Sequence, residues 1–189
     1  MRPIANTRDV TGVPTGRLAI WWVIGSEIVI FGGLLASYLM YRLANPGWAG
    51  HAAHTNVVAG GFNTFVLLTS SLFAVLAHQA AEAGNGKKAA KLLIATTVGG
   101  LIFLTVKGFE WTHEIQLGYT ITANTFWSFY YTAAGLHACH VIAGMIVMLI
   151  VAAKARRGVD LHHVELIGIY WHFVDVVWIF LFPLLYIAK

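Results

Sequence analysis

Charged residues are scarce in this chain. Asp, Glu, Lys and Arg make up 11% of its 189 residues, whereas 58% are hydrophobic. A soluble globular domain carries roughly 25% charged residues, so this composition cannot cover the surface of one. The chain is therefore predicted to be an integral membrane protein. The net charge of +4 is small and spread over the predicted loops, and it does not indicate a nucleic-acid partner.

Cysteine is nearly absent as well. The single Cys139 lies inside an apolar run, which excludes a disulfide framework within the chain. The sequence also lacks a phosphate-binding loop, a nucleophilic triad and a motif with clear metal-ligand spacing. The first apolar run is too long for a cleaved signal peptide, and we expect it to remain as a membrane span.

Long apolar runs are what the sequence does contain. Each of five runs is long enough to cross a hydrocarbon core about 30 Å thick. We predict an all-α fold, an integral membrane bundle of five transmembrane helices in one domain over residues 18–189, after a cytoplasmic arm over residues 1–17. Glycines recur in the spans and predict close helix packing. The predicted spans are about 18–41, 57–81, 89–112, 125–153 and 165–187.

Most basic residues fall on one side of the predicted membrane, in three groups of three. Because basic loops stay in the cytoplasm, the amino terminus is predicted to lie inside and the carboxyl terminus outside. The three groups are Arg2, Arg8 and Arg17; Lys87, Lys88 and Lys91; and Lys154, Arg156 and Arg157.

The last span carries two ionisable residues near the middle of the bilayer. His172 and Asp175 are three residues apart and share a helix face, flanked by Trp171 and Trp178. This face is predicted to point into protein, because a lone carboxyl in lipid costs about 2.5 kcal/mol or more. Two interpretations stay open. Either the two side chains hydrogen-bond to each other and fix the packing of neighbouring helices, or they bind a proton or ligand.

Glu27 lies roughly 14 Å into the first span. Its apolar neighbours on that helix offer no partner, so a partner must come from another helix, from lipid or from a bound proton. The interpretations are a neutral, hydrogen-bonded structural residue and a proton-linked or lipid-linked one.

His137 and His140 form an H-x-x-H pair in the fourth span. Imidazoles ligate haem and metals, but no second pair is placed to complete such a site. We favour hydrogen bonding between helices, with Glu27 as a candidate partner of the pair. Lys107 and Glu110, three residues apart near the end of the third span, are predicted to pair.

Polar residues of the second span are predicted to hydrogen-bond to neighbouring helices. They are Asn63, Thr64, Thr69, Ser70 and Ser71.

Several of these segments together resemble subunit III of the haem–copper oxidases, in its short five-helix form. The most specific is Y-W-H-F-V-D-V-V-W-I-F-L-F in the last span, and His163 to Glu165, H-V-E, leads into it as in the family. The matching segments are Tyr170–Phe182, Gly25–Phe31, Phe62–Ser71, Phe109–Trp111 and Gly135–Val141. Lys107 departs from the uncharged polar residue common at its position.

The resemblance implies a non-catalytic accessory subunit. It implies partner subunits I and II that hold the haems and copper, no cofactor in this chain, and bound phospholipid. A larger respiratory supercomplex is a further candidate partner, which the sequence does not identify. The implied function is support of proton uptake during proton-pumping reduction of oxygen to water, with cytochrome c as electron donor, in a bacterial cytoplasmic membrane. Glu27 matches the family's carbodiimide-reactive glutamate. The candidate polar site residues are Glu27, His137, His140, Glu165, His172 and Asp175.

Other functions remain open. A quinol oxidase subunit III and the related accessory subunit of nitric oxide reductase are both compatible with these motifs. More distant alternatives are a small b-type cytochrome that uses the histidines and a proton-coupled transporter that uses Glu27 and Asp175.

Overall fold

The computed structural model describes residues 15–45, 47, 50 and 52–187, and over these the chain forms five long helices. All five are long and apolar enough to cross a membrane, and the described residues contain no strand. The predicted all-α bundle of five spans is confirmed. The helices are α1 (Thr15–Ala44), α2 (Val57–Glu82), α3 (Gly86–Gln116), α4 (Thr125–Arg156) and α5 (His162–Phe182), which continues as a π-helical turn (Pro183–Ile187).

The predicted amino-terminal arm was too long. Residues 15–17 already belong to α1, and residues 1–14 lie outside the described residues, with Arg2 and Arg8 among them. Lys189 lies outside them too.

Asparagine side chains set the start of three helices. Asn56, Asn85 and Asn124 each accept a hydrogen bond from a backbone N–H in the first turn of α2, α3 and α4. Such caps satisfy donors that have no partner within the helix. The cap at Asn85 explains why α3 begins at Gly86, three residues before the predicted span.

α5 packs in the middle of the bundle against α2 and α4. Trp171 and Trp178 are both buried, and their indole N–H groups donate to Ser70 Oγ and Thr64 Oγ1 of α2, each over 3.0 Å. The predicted inward face of the last span is therefore present. Of the second-span residues predicted to bond between helices, Thr69 does not, because its hydroxyl donates to Phe65 O of its own helix.

Glycines allow close packing only in part of the bundle. A Cβ on Gly99 would lie 2.6 Å from Ser70 Cβ, and one on Gly100 would lie 2.9 Å from the Trp171 ring. The same atom on the α1 glycines, among them Gly25 and Gly32, would meet nothing within 4 Å. The prediction of close packing thus holds for these α3 glycines, as it does for Gly60 of α2 and Gly144 of α4, and it is wrong for the α1 glycines.

α1 lies at the edge of the bundle. Its buried side chains are on one face, among them Phe31 and Tyr38, whereas Trp22 and Val29 on the opposite face are each 74% exposed. Tyr38 OH donates to Leu184 O over 2.7 Å. We call the end of the bundle where α1 begins the amino end and the end where α5 finishes the carboxyl end.

Candidate functional site

α1 and α4 meet through Glu27 and His140, about midway along both helices. His140 Nε2 lies 2.9 Å from Glu27 Oε2, and the two side chains are 17% and 16% exposed. The Phe31 ring packs edge-on against the imidazole, with centroids 5.2 Å apart. The partner of Glu27 therefore comes from another helix, and it is one of the two fourth-span histidines.

The other ring nitrogen of His140 determines what Glu27 faces. Nδ1 lies 2.8 Å from Leu136 O, and a carbonyl oxygen can only accept, so Nδ1 carries a hydrogen. In a neutral imidazole Nε2 then has the lone pair. A proton at this contact could be carried by either residue, on Nε2 of an imidazolium or on a neutral Glu27 carboxyl group. The ring N–H direction at Nε2 is not aimed at Oε2, so the contact is a close polar pair and not an aligned hydrogen bond.

His137 does not share this role. Its ring is fully buried, stacks on Trp178 with centroids 5.2 Å apart and meets the edge of Phe103. Neither ring nitrogen has a hydrogen-bond partner among the described residues. The prediction that both histidines bond between helices is therefore wrong for His137. Residues three apart on a helix point about 60° apart around its axis, and this difference turns His137 toward the aromatic core.

His172 and Asp175 do not satisfy each other. His172 Nδ1 pairs with Ser71 Oγ of α2 at 2.5 Å. Asp175 is 4% exposed, and the Ser71 side chain faces it too, yet neither carboxyl oxygen has a hydrogen bond of good geometry in the described part of the chain. The interpretation of a self-satisfied pair is wrong, and Asp175 is a buried carboxyl with unused acceptors.

Glu165 joins α5 to α1 at the amino end. Its Oε1 lies 2.6 Å from Arg17 Nη2, in the first turns of the two helices. Glu165 is therefore a docking contact for α1 and lies at the bundle's end, well apart from the mid-bilayer pair.

One group of side chains at the amino end has the composition of a metal site. Ligand atoms of Asp160, His162 and His163 lie within 4.8 Å of one another. Lys154 Nζ, however, lies 3.3 Å from Asp160 Oδ2 and neutralises the only carboxylate of the three. The structure thus shows an ion pair at this carboxylate.

The carboxyl end holds a buried network that was only partly predicted. Lys107 Nζ lies 3.0 Å from Glu110 Oε2, so the predicted pair is confirmed, but it is buried in the bundle. Tyr130, Tyr186 and Glu114 complete the network and were not identified from the sequence. The spacing of Lys107, Glu110 and Glu114 by three and four residues was the available signal, since it places all three on one helix face.

Comparisons of the sequence with known proteins identify a family over nearly the whole chain. The family model described as "Cytochrome c oxidase subunit III" matches residues 12–189. The chain belongs to the cytochrome c oxidase subunit III family. It is a subunit III of a haem–copper oxidase and a multi-pass membrane protein.

Individual relatives cover most of this subunit III. "Cytochrome c oxidase subunit 3" of Bacillus subtilis is 33% identical over 90% of this chain and 84% of its own length. The protein of that name from Corynebacterium diphtheriae is 32% identical over 88% and 84%. "Heme-copper oxidase subunit I+III" of Aeropyrum pernix is 32% identical over 91% of this chain, which spans only 22% of that longer protein.

Proposed function

We propose that this subunit III is a non-catalytic accessory subunit that docks on subunit I of its oxidase. The observation that carries the proposal is the shielded contact between Glu27 and His140, a proton-holding pair at mid-membrane. A relative whose printed name joins subunits I and III supports docking on subunit I. Subunits I and II hold the haems and copper, and reduction of oxygen takes place there.

The surroundings of three membrane-span histidines favour a non-redox role for this chain. His140 and His172 contact Glu27 and Ser71, and His137 is enclosed by aromatic rings. A haem in a helix bundle takes axial ligands such as histidine. Packing of these imidazoles against protein groups favours a structural or proton-linked role over that of a small b-type cytochrome.

The proton of the Glu27–His140 pair gives the subunit its part in proton uptake. Because Nδ1 of His140 donates to a backbone carbonyl, Nε2 is the ring nitrogen free to take up a proton beside Glu27. Intramembrane ionisable groups of this kind mark proton pathways. The pair takes up and returns this proton and so supports proton delivery to the oxidase during turnover.

A groove on the side of α1 suits a phospholipid acyl chain. It has a volume of about 320 Å³ and apolar walls from α1, α4 and α5, with His163 near its amino end. Apolar clefts of this size bind apolar ligands. The apolar lining residues are Ile20, Ala143, Val147, Val151, Leu166, Ile167 and Tyr170.

Basic side chains support the orientation of the subunit. Lys87, Lys88 and Lys91 begin α3, and Lys154 and Arg156 end α4, so these cations lie at the amino end. By the positive-inside rule this end faces the cytoplasm of a bacterial cell. Cytochrome c is the proposed electron donor, in line with the names of the relatives.

Gentle purification of the subunit from native membranes tests the proposal. We expect it to co-purify with haem-containing partners and to reduce oxygen with reduced cytochrome c. Preference for a quinol as electron donor would identify a quinol oxidase. Reduction of nitric oxide would identify the accessory subunit of a nitric oxide reductase. Isolation of the chain alone and colourless would contradict the subunit assignment, whereas a haem spectrum from the single chain would indicate a b-type cytochrome.

A further inference from the structure

The carboxyl end of the bundle contains a cluster of charges that the Glu27–His140 pair does not use. Lys107, Glu110 and Glu114 of α3 are 2%, 7% and 3% exposed. Tyr130 of α4 and Tyr186 at the end of α5 close the cluster, and both are fully buried. We call these five residues the Lys107 network.

The ammonium group of Lys107 is fully coordinated. It donates to Glu110 Oε2 and Tyr130 OH, each over 3.0 Å, and to Tyr186 OH over 2.5 Å. A charged ammonium has three hydrogens and no lone pair, so it can fill all three contacts as a donor, with a carboxylate among its acceptors. The network therefore contains one positive charge and two carboxyl groups.

Two ionised carboxylates would leave this buried network with a net negative charge. An uncompensated charge in the interior costs several kcal/mol. The cation that Lys107 supplies balances one carboxylate, and Glu110 is the one it contacts. Glu114 is the carboxyl without a cation of its own.

The hydrogen-bond pattern also identifies Glu114 as the carboxyl group that takes a proton. Tyr130 OH lies 3.1 Å from Glu110 Oε1 and 3.2 Å from Glu114 Oε1, but its single hydrogen can serve only one of them. Glu114 Oε2 has no partner among the described residues. One further hydrogen on Glu114 would fill the second contact by donating to the Tyr130 oxygen, and it would bring the network to zero charge.

A cavity of about 460 Å³ adjoins these carboxyl groups. Glu110 and Glu114 line it, and His54 and His113 line it as well; both histidines are exposed. The groups that face Glu114 are Lys107, Glu110 and His113 of its own helix, Tyr130 and Tyr131 of α4, Tyr186 of α5, and His54 across the cavity. The carboxyl groups therefore border a cavity that exposed side chains also line.

We propose that Glu110 and Glu114 form a proton-binding site at the carboxyl end of the bundle, which holds one proton on Glu114 and exchanges it with water in the adjoining cavity. On release, the O–H bond of Glu114 breaks, the proton passes to water, and the network keeps one negative charge. The site is independent of the Glu27–His140 pair and of the role proposed for that pair.

Infrared spectroscopy of the purified oxidase complex tests whether Glu114 is protonated. A protonated carboxyl has a C=O stretch at higher frequency than a carboxylate, and deuterium lowers that frequency. At neutral pH we expect Glu114→Gln to lose one such band, because Gln keeps the shape and the hydrogen bonds of a neutral Glu114. Glu82→Gln, at a 68% exposed side chain, should lose no such band.

A spectrum in which Glu114→Gln loses only carboxylate bands would overturn the proposal. It would mean that Glu114 is ionised and that another cation balances the network. A different protonated-carboxyl band that is lost in Glu27→Gln would report the Glu27–His140 pair and not Glu114. Retained haem content shows that each variant complex is assembled.

The exchange path is tested by narrowing the cavity. Ala59 lines it, whereas the neighbouring Val58 is 82% exposed on the outer face of α2. In D₂O, Ala59→Leu should slow the frequency shift of the Glu114 band severalfold, and Val58→Leu should leave its rate unchanged. An equal rate in both variants would exclude the cavity as the exchange path.

Discussion

Glu27 Oε2 and His140 Nε2 lie 2.9 Å apart and link α1 to α4 at mid-membrane. α1 otherwise presents a broad apolar face away from the bundle, with Trp22 and Val29 largely exposed. A polar pair between an edge helix and the core has two consequences. It places two titratable groups opposite each other on neighbouring helices, and it attaches α1 to the rest of the bundle.

The first prediction concerns carbodiimide chemistry at Glu27. Hydrophobic carbodiimides attack protonated carboxyls from the lipid phase, and Glu27 lies at the edge of the bundle beside His140, with which we propose that it shares a proton. We expect Glu27 to be the most readily modified carboxyl, as measured by mass spectrometry of labelled peptides. Glu27→Gln should abolish that label, whereas Glu165→Gln should leave it.

Turnover of the same Glu27→Gln complex is the second prediction. Because we place the oxygen chemistry in partner subunits, steady-state oxygen consumption should remain substantial at first and decline faster over prolonged turnover than in the parent enzyme. Immediate loss of activity in a fully assembled, haem-replete complex would refute the accessory role.

The third prediction separates the two histidines of α4 from redox centres. Replacing both His137 and His140 by Gln should leave haem and copper content per complex unchanged. The loss of the Glu27 contact should weaken attachment of α1 by about 1 kcal/mol, as expected for one polar link between helices in a membrane. A stoichiometric loss of haem or metal would show that the pair ligates it.

Packing between α2 and α3 gives the fourth prediction. Gly99→Leu would force side-chain atoms into Ser70, so it should destabilise the subunit by about 1–3 kcal/mol, read from thermal unfolding in detergent. Gly108→Leu is the matched control on the same helix, because a Cβ there meets nothing within 4 Å. Equal effects of the two would mean that helix propensity, and not contact with α2, explains the loss.

The fifth prediction concerns the Lys107 network. Lys107→Met removes one partner of a buried ion pair and should cost about 3–5 kcal/mol of stability. Lys154→Met removes an ion pair whose lysine side chain is 48% exposed, so its cost should be about 0–1 kcal/mol. Thermal unfolding of both variants in one detergent checks the difference, and a Lys107→Met protein as stable as the parent would show that the network does not hold the helices together.

The number and type of the helices followed from the sequence. Five apolar runs of sufficient length leave few alternatives to a helical bundle. Backbone N–H and C=O groups without partners are costly in lipid, and a helix pairs them within each span. Contacts within one helix were also predictable, and Lys107 with Glu110 is the example. Their three-residue spacing places them together whatever surrounds the helix.

Contacts between helices depended on the tertiary structure. The same three-residue spacing failed for His172 and Asp175, since Ser71 of α2 lies closer to the imidazole and takes its hydrogen bond. It also failed to show that His137 and His140 face different neighbours. Apolar composition sets which segments enter the membrane, but only the rotation and approach of neighbouring helices decide which buried groups meet. Assembly of Tyr130 and Tyr186 around Lys107 from three different helices is the clearest case, because no spacing along one helix can encode it.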